Sequence, residues 1–341
     1  MSKKITSIEV AKHAGVSQST VSRVFGSRRA TVSPEACERV LKAAVELGYQ
    51  PNAIARMMST RQTHIIGLVM AQITSPFYPY VLEKFLEELR AIDRQVLLFT
   101  ASDQQSIDDL LPLVMSYQVD ALIITSATLS SALAQTTAER GTPVILFNRV
   151  VHDPNISAVC ADNVAGGRTA ADVLVDAGHQ RFAYIAGVQN TSTSQDRERG
   201  FTERLRERGV TTWERAKGHY TYESGYAATQ TLLRQPQAPD ALFCANDIMA
   251  LGAIDACRGE GLRVGTDVSV IGFDNIPMAG WLAYQLTTLS QEVDAMIAAT
   301  LDILLEQIEN PQHPSRVVQI PGRLVIRGSV RGLREAVQTD E

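Results

Sequence analysis

The chain has 341 residues, 45% apolar and 20% charged, with a net charge of −5. That length holds two or three domains, and the composition is that of a folded protein rather than a disordered one. No stretch approaches the ~20 apolar residues that cross a bilayer. The opening MSKKITSIEV has no signal-peptide core, and the four cysteines lack metal-ligand spacing, so a soluble cytoplasmic protein with reduced thiols is expected.

The positive charge sits at one end. Residues 1–62 carry ten Lys or Arg against four acids, a balance of +6, which leaves −11 for residues 63–341. A basic head suits contact with phosphates, whereas an acidic body does not. In chain order, Thr6 caps a first helix, with Glu9 as its capping-box partner. Ile8, Val10, Ala11 and Ala14 give that helix an apolar face, Gly15 stops it and Val16 plugs the turn. Ser17 caps a second helix from Gln18 to Phe25, with Val21 and Val24 facing inward. Ser33 and Pro34 begin a third, which ends at Gly48.

Two short helices joined through Ala14-Gly15-Val16 have the layout of a helix-turn-helix. There the second helix enters the major groove. Its exposed Gln18, Ser19, Thr20, Ser22 and Arg23 carry side chains that pair with base edges or phosphate. The same spacing also fits an ordinary three-helix bundle with a polar face. After Pro51, Asn52 caps a two-turn helix through Ala55, Arg56, Met57 and Met58. Alone it is too short to persist in water. Its methionines either pack on the body or wedge between base steps.

From residue 64 apolar strands alternate with helices. Strands are expected at 65–70, 95–100, 121–125, 143–148, 182–186, 241–245 and 268–273. Helices are expected at 78–91, 105–117, 130–139, 164–177, 196–208, 222–234 and 247–259. Continuous apolar strands separated by helices mean parallel sheets covered on both faces. Two such series predict two lobes, with a ligand cleft beyond the strand ends.

Catalysis is not expected. Neither a dinucleotide-binding glycine motif nor a phosphate loop follows the first strand, and no nucleophile elbow occurs. The six histidines are scattered, so no metal or cofactor is expected. Asp162, Asp247 and Asp274 each follow a strand, where an acid also serves to cap the next helix.

Several runs carry a specific resemblance. Ile5 to Ala11, Ala14-Gly15-Val16-Ser17, Thr20 to Val24, and Leu47-Gly48-Tyr49-Gln50-Pro51-Asn52 with Ala55-Arg56 resemble the lactose/galactose repressor family. Within the body, Pro76-Phe77-Tyr78, Phe147-Asn148-Arg149, Asp162-Asn163, Arg197 before Gly200-Phe201, Asn246-Asp247 and Val270 to Asn275 extend the likeness to about residue 329. The resemblance implies a multidomain fold. A small all-α helix-turn-helix head covers 1–50, and a hinge helix and linker cover 51–62. An α/β two-lobed, periplasmic-binding-protein-like body with parallel sheets covers 63–341. Its N-lobe would take about 63–161 plus 290–323, and its C-lobe about 162–289 plus 324–329.

The resemblance also implies a transcriptional regulator, most often a repressor, that binds a double-stranded, near-palindromic operator as a homodimer. A small molecule in the cleft, a sugar, sugar acid or related metabolite, would control its affinity. Thr6, Ser17, Gln18, Ser19, Thr20, Ser22, Arg23, Asn52, Ala55, Arg56 and Met58 match the DNA-contacting positions, with Met58 where the family usually has a leucine wedge. Phe77, Tyr78, Asn148, Asp162, Arg197, Tyr220, Asn246 and Asp274 match effector positions. Helices 78–91 and 105–117 would form the dimer face, and the tail after Arg331 lacks the leucine repeat of a tetramerising bundle. Gln285 stands where the lactose repressor has proline, and the nearby Trp281 belongs to the cleft or the dimer face. A different function would be a solute sensor or carrier whose basic head contacts a partner other than DNA.

Overall fold

Capping residues set where each helix of the head begins. In the computed structural model, which describes residues 5–26, 29–49, 63–71, 75–101, 107–125, 141–151, 153–189 and 191–333, helix α1 spans Ser7–Ala14. The Thr6 hydroxyl accepts from the Glu9 N–H, and the Glu9 carboxylate takes the Thr6 N–H at 2.8 Å. Gly15 ends the helix at φ 65°, a left-handed conformation that glycine adopts without a Cβ clash. Helix α2, Gln18–Val24, starts from the Ser17 cap, and α3, Pro34–Leu47, from the Ser33 cap. Val10, Val21 and Val40 meet at the centre of the bundle, with Ala11, Ala14, Val24, Ala43 and Ala44 around them. Ile8 corrects an expectation, since it is 63% exposed. At 100° per residue it lies about 160° round the helix from Val10.

The chain divides into two compact units, Met1–His64 and Ile65–Glu341. The second contains two six-stranded sheets. In the first sheet the strands are β1 Ile65–Ala71, β2 Gln95–Ala101, β3 Ala121–Ile124, β4 Val144–Phe147, β5 Ser157–Ala161 and β11 Val317–Ile320. Their order is β11-β5-β4-β3-β1-β2, and every pairing is parallel. The second sheet contains β6 Phe182–Ala186, β7 Glu214–Lys217, β8 Ala241–Cys244, β9 Ser269–Asp274, β10 Thr287–Ser290 and β12 Leu324–Val325, in the order β12-β10-β9-β8-β6-β7. Among the described strands only β12 runs antiparallel to its neighbour.

The helices are α4 Phe77–Ala91, α5 Ile107–Ser116, α6 Asn163–Asp176, α7 Ser192–Glu207, α8 Tyr222–Leu233, α9 Asp247–Gly259 and α10 Val293–Glu309. Two pairs pack with almost no side chain between them. A Cβ on Gly200 of α7 would strike the Val164 carbonyl of α6, and one on Gly252 of α9 would strike the Tyr222 carbonyl of α8. The chain passes from one sheet to the other three times, and these crossings lie side by side. Asp162 N–H donates to the Ile320 carbonyl at 2.8 Å, Ser290 N–H to the Arg323 carbonyl at 2.7 Å, and Arg323 pairs with Glu292. The structure adds strands at 157–161, 214–217, 287–290 and 317–320 and the long helix α10 to those expected, and the closing strand expected at 324–329 is limited to Leu324–Val325. The helix expected at 196–208 starts four residues earlier, at Ser192, because Thr191 accepts from Ser194 N–H as its cap. The expected helix 130–139 and the hinge at 51–62 lie outside the described residues.

Candidate functional site

Strand ends and helix starts converge on one cleft in the second unit. It encloses about 330 Å³ including its open mouth, and Ser75, Phe77, Tyr78, Asn148, Arg149, Thr193, Arg197, Tyr220, Asn246 and Asp274 line it. Ser75, Phe77, Tyr78, Asn148 and Arg149 come from the first lobe and the others from the second. Seven of the eight effector residues expected from the sequence are therefore neighbours. Asp162 is the eighth, and its carboxylate instead caps α6 by accepting the Ala165 N–H at 2.9 Å. Ser75, Arg149 and Thr193 were not anticipated. Arg149 follows Asn148 within a run already singled out, so adjacency was its one available signal. The cleft does not include Trp281, which is 57% exposed.

Arg197 is the organising side chain. Its Nε donates to Asn163 Oδ1 at 2.8 Å, and its Nη1 donates to the Ala245 carbonyl at 2.5 Å and lies 3.4 Å from Asp274 Oδ1. The guanidinium lies over the Phe273 ring, 3.6 Å from its centroid, where the ring's negative face attracts it. Asp274 also accepts from Gln291 Nε2 at 2.7 Å. Burial pushes the Asp274 carboxyl up, against the pull of Arg197. Beneath it, fully buried Asp247 accepts from Thr288 Oγ1 at 2.5 Å and from Ile276 N–H at 2.8 Å. Burial and the nearby Asp274 push its carboxyl up to about 7.

The backbone is strained at the same place. Asn148, Tyr220 and Asp274 line the cleft with φ of 59°, 60° and 121°, conformations that cost a side chain roughly 1–3 kcal/mol. Gly187 makes room for the Tyr220 ring, since a Cβ there would overlap it. Asn246 both lines the cleft and caps α9, accepting the Met249 N–H at 3.1 Å. Two polar atoms of the cleft lining are buried without partners, Asn148 Oδ1 and Arg149 Nε. Buried polar groups are normally satisfied, so orphans gathered at a concave site point to a ligand.

In the head, Ser17 at the α2 cap and Gln18, Ser19, Ser22 and Arg23 along α2 are exposed, Thr6 is exposed at the α1 cap, and Thr20 is half-buried. Arg23 Nη2 lies 3.4 Å from Ser19 Oγ, and Gln18 Nε2 lies 3.2 Å from Ser7 Oγ. Asn52, Ala55, Arg56 and Met58 lie outside the described residues.

A Ser–His–Asp alignment occurs elsewhere in the second lobe. His179 Nε2 is 2.7 Å from Ser269 Oγ, and His179 Nδ1 is 3.4 Å from Asp240. Ser269 is fully buried, and its hydroxyl accepts the Arg331 N–H at 3.0 Å. No substrate reaches it, so this alignment fastens the C-terminal segment. No cluster of metal-ligating side chains is present among the described residues.

Comparison with known proteins agrees with this geometry. Residues 8–52 match a family described as bacterial regulatory proteins, lacI family, and residues 171–330 match a periplasmic binding protein-like domain. The ribose operon repressor of Haemophilus influenzae is 30% identical over 331 residues, spanning 96% of this chain and 98% of the relative. The transcriptional repressor PurR of another Haemophilus influenzae strain is 33% identical over 336 residues, spanning 95% and 98%. Among solved structures, a lac repressor dimer bound to operator and an anti-inducer superposes with a TM-score of 0.85 at 26% identity, spanning 96% of this chain and all of that one.

Proposed function

The chain belongs to the lacI family of bacterial regulatory proteins and is a DNA-binding repressor controlled by a small molecule. From that premise we propose that it works in the cytoplasm as a homodimer on a near-palindromic operator, released or recruited by a sugar or sugar acid held in the cleft. Residues 1–50 read the operator, 51–62 form the hinge, and 63–341 sense the effector and dimerise.

The observation that carries the effector reading is the cleft itself, where Phe77, Tyr78 and Asn148 of one lobe face Arg197, Asn246 and Asp274 of the other. Aromatic faces beside a fork donor and a carboxylate acceptor suit a hydroxylated ring. Each lobe supplies part of the contact, so a ligand biases how the lobes are set. The lobes determine the spacing of the two hinges and thereby the affinity for DNA, and DNA must bias the effector site in return.

Dimerisation is supported by exposed apolar side chains on one lobe: Tyr80 and Leu86 on α4, Ile92 after it, Leu98 on edge strand β2, and Leu113 and Tyr117 on and after α5. The test is a gel shift with an inverted-repeat site of about 14–18 base pairs from the gene's upstream region, the length two half-sites one helical turn apart require. The protein should retard it, R23A should weaken that shift at least tenfold, and a sugar or sugar acid should change it. Equal retardation of a scrambled site would defeat the operator reading.

A further inference from the structure

Among the described residues the cleft holds more positive charge than its one acid matches. Arg149 is 7% exposed and lines the cleft, yet no carboxylate lies within ion-pair distance of it among the described residues. Its Nη1 donates to the Thr193 hydroxyl, which is neutral, and its Nε has no partner. Among the described residues the one acid lining the cleft is Asp274, which is hydrogen-bonded by Arg197 and Gln291 and feels Arg149 only from beyond ion-pair distance. Asp247 below is held toward its neutral form by burial and by Asp274.

Backbone adds to the imbalance. Three helices begin at the cleft: α4 with Phe77 and Tyr78, α7 with Thr193 in its first turn, and α9 from the Asn246 cap. Each directs the positive end of its dipole there. Tyr220 reports the field. Burial alone would push its phenol up, but Arg197 and Arg149, together with hydrogen bonds to Thr193 and Thr191, hold it below its usual value. An unpaired guanidinium out of water is costly. A ligand that brings an anion removes that cost, whereas a neutral ring leaves it in place.

We propose that the effector is a monosaccharide-sized polyol bearing an anionic oxygen group, a carboxylate or a phosphate, and that this group docks on the Arg149 guanidinium beside Thr193 and Tyr220. This rests on the effector reading of the cleft and narrows it to a chemical class. The remaining hydroxyls would face Asn148, Asn246 and Asp274. The size of the cleft is at the small end of ligand pockets, which suits one sugar unit rather than an oligosaccharide.

The test is thermal shift followed by calorimetry on the full chain. The panel sets each of several aldoses beside its uronic or aldonic acid, the methyl ester of that acid, and its terminal phosphate. At least one acid or phosphate should stabilise the protein while its neutral counterpart does not, and the carboxylate and phosphate arms tell the two anions apart. R149M should weaken that ligand by about tenfold to a hundredfold, the range of a lost charge-assisted bond. R149K should retain the preference for the anion at reduced affinity. R149M should also melt no lower than the wild type without ligand, because it removes an unpaired buried charge. The proposal is overturned if neutral sugars stabilise as well as their acids, if no acid or phosphate separates wild type from R149M, or if R149M alone melts several degrees lower. A protein that shifts operator DNA and answers to neutral sugars would retain the regulator reading and lose this one.

Discussion

At the scale of single residues, the cleft combines capping with recognition. Asn246 holds α9 with the oxygen it would otherwise offer a ligand, whereas Asp162 only caps. A sequence pattern cannot separate these uses, because the acid or amide after a strand is the same residue type in both. Arg149 was hidden for another reason: its importance lies in what it lacks, a partner, and that is visible only once its surroundings are folded. Asp247 gives a pH prediction. Its carboxyl is raised to about 7 by burial and by Asp274, against roughly 4 in the unfolded chain. The folded state therefore binds more protons between these values, and the resulting stability is full below about pH 4 and is lost as the pH rises through 7. D247N carries no charge and should lose this slope. It should gain on the wild type between pH 5 and pH 8 in denaturant melts, and a parallel pair of curves would show that Asp247 is ionised throughout. Gly187 gives a second prediction. G187A drives a methyl into the Tyr220 ring, so ligand affinity should fall about tenfold or more while circular dichroism stays native.

At the scale of elements, the strands most legible in the sequence were the central ones. Ile65–Ala71 and Ala241–Cys244 are apolar runs because both faces of their sheets are covered by helices. Edge strand β7 was not legible: Glu214-Arg215-Ala216-Lys217 is polar and largely exposed, and only its pairing with β6 makes it a strand. β5 escaped because Ser157, Ala158 and Ala161 are small and give little hydrophobic signal, although the strand is fully buried. The α6–α7 pair is held in two ways that can be tested separately. At the crossing, Gly200 touches the backbone of Val164, which cannot yield. G200A should cost about 1–3 kcal/mol by overpacking, more than the helix propensity it gains. At the surface, Asp172 accepts from Arg204 at 2.9 Å and from Arg208 at 2.5 Å, while Glu207 joins Arg168 and Arg204. These side chains are partly exposed, so D172N should cost only about 0.5–1 kcal/mol. That loss should shrink in 1 M salt, whereas the cost of G200A should not.

At the scale of the whole molecule, the +6 head and −11 body imply that DNA affinity is electrostatic and that one head is insufficient. A half-site read by one small domain gives few phosphate contacts, and the second head adds its own only if a dimer holds it nearby. The apolar side chains at Leu98, Leu113 and Tyr117 are exposed on the lobe that carries α4 and α5, and burying them against a second copy would hold two heads together. L113D with Y117D places two charges in that face without touching the cleft. Light scattering should then give a monomer. Cleft ligands should bind as before, which separates loss of assembly from loss of fold. Operator affinity should fall at least a hundredfold, and its dependence on salt should change in a defined way. The slope of log K against log salt counts the phosphates neutralised at about 0.9 each, so a monomer with one head should show about half the wild-type slope. A monomeric variant that kept the full slope would mean that the body, or a single head, makes all the contacts and that the dimer face serves another purpose.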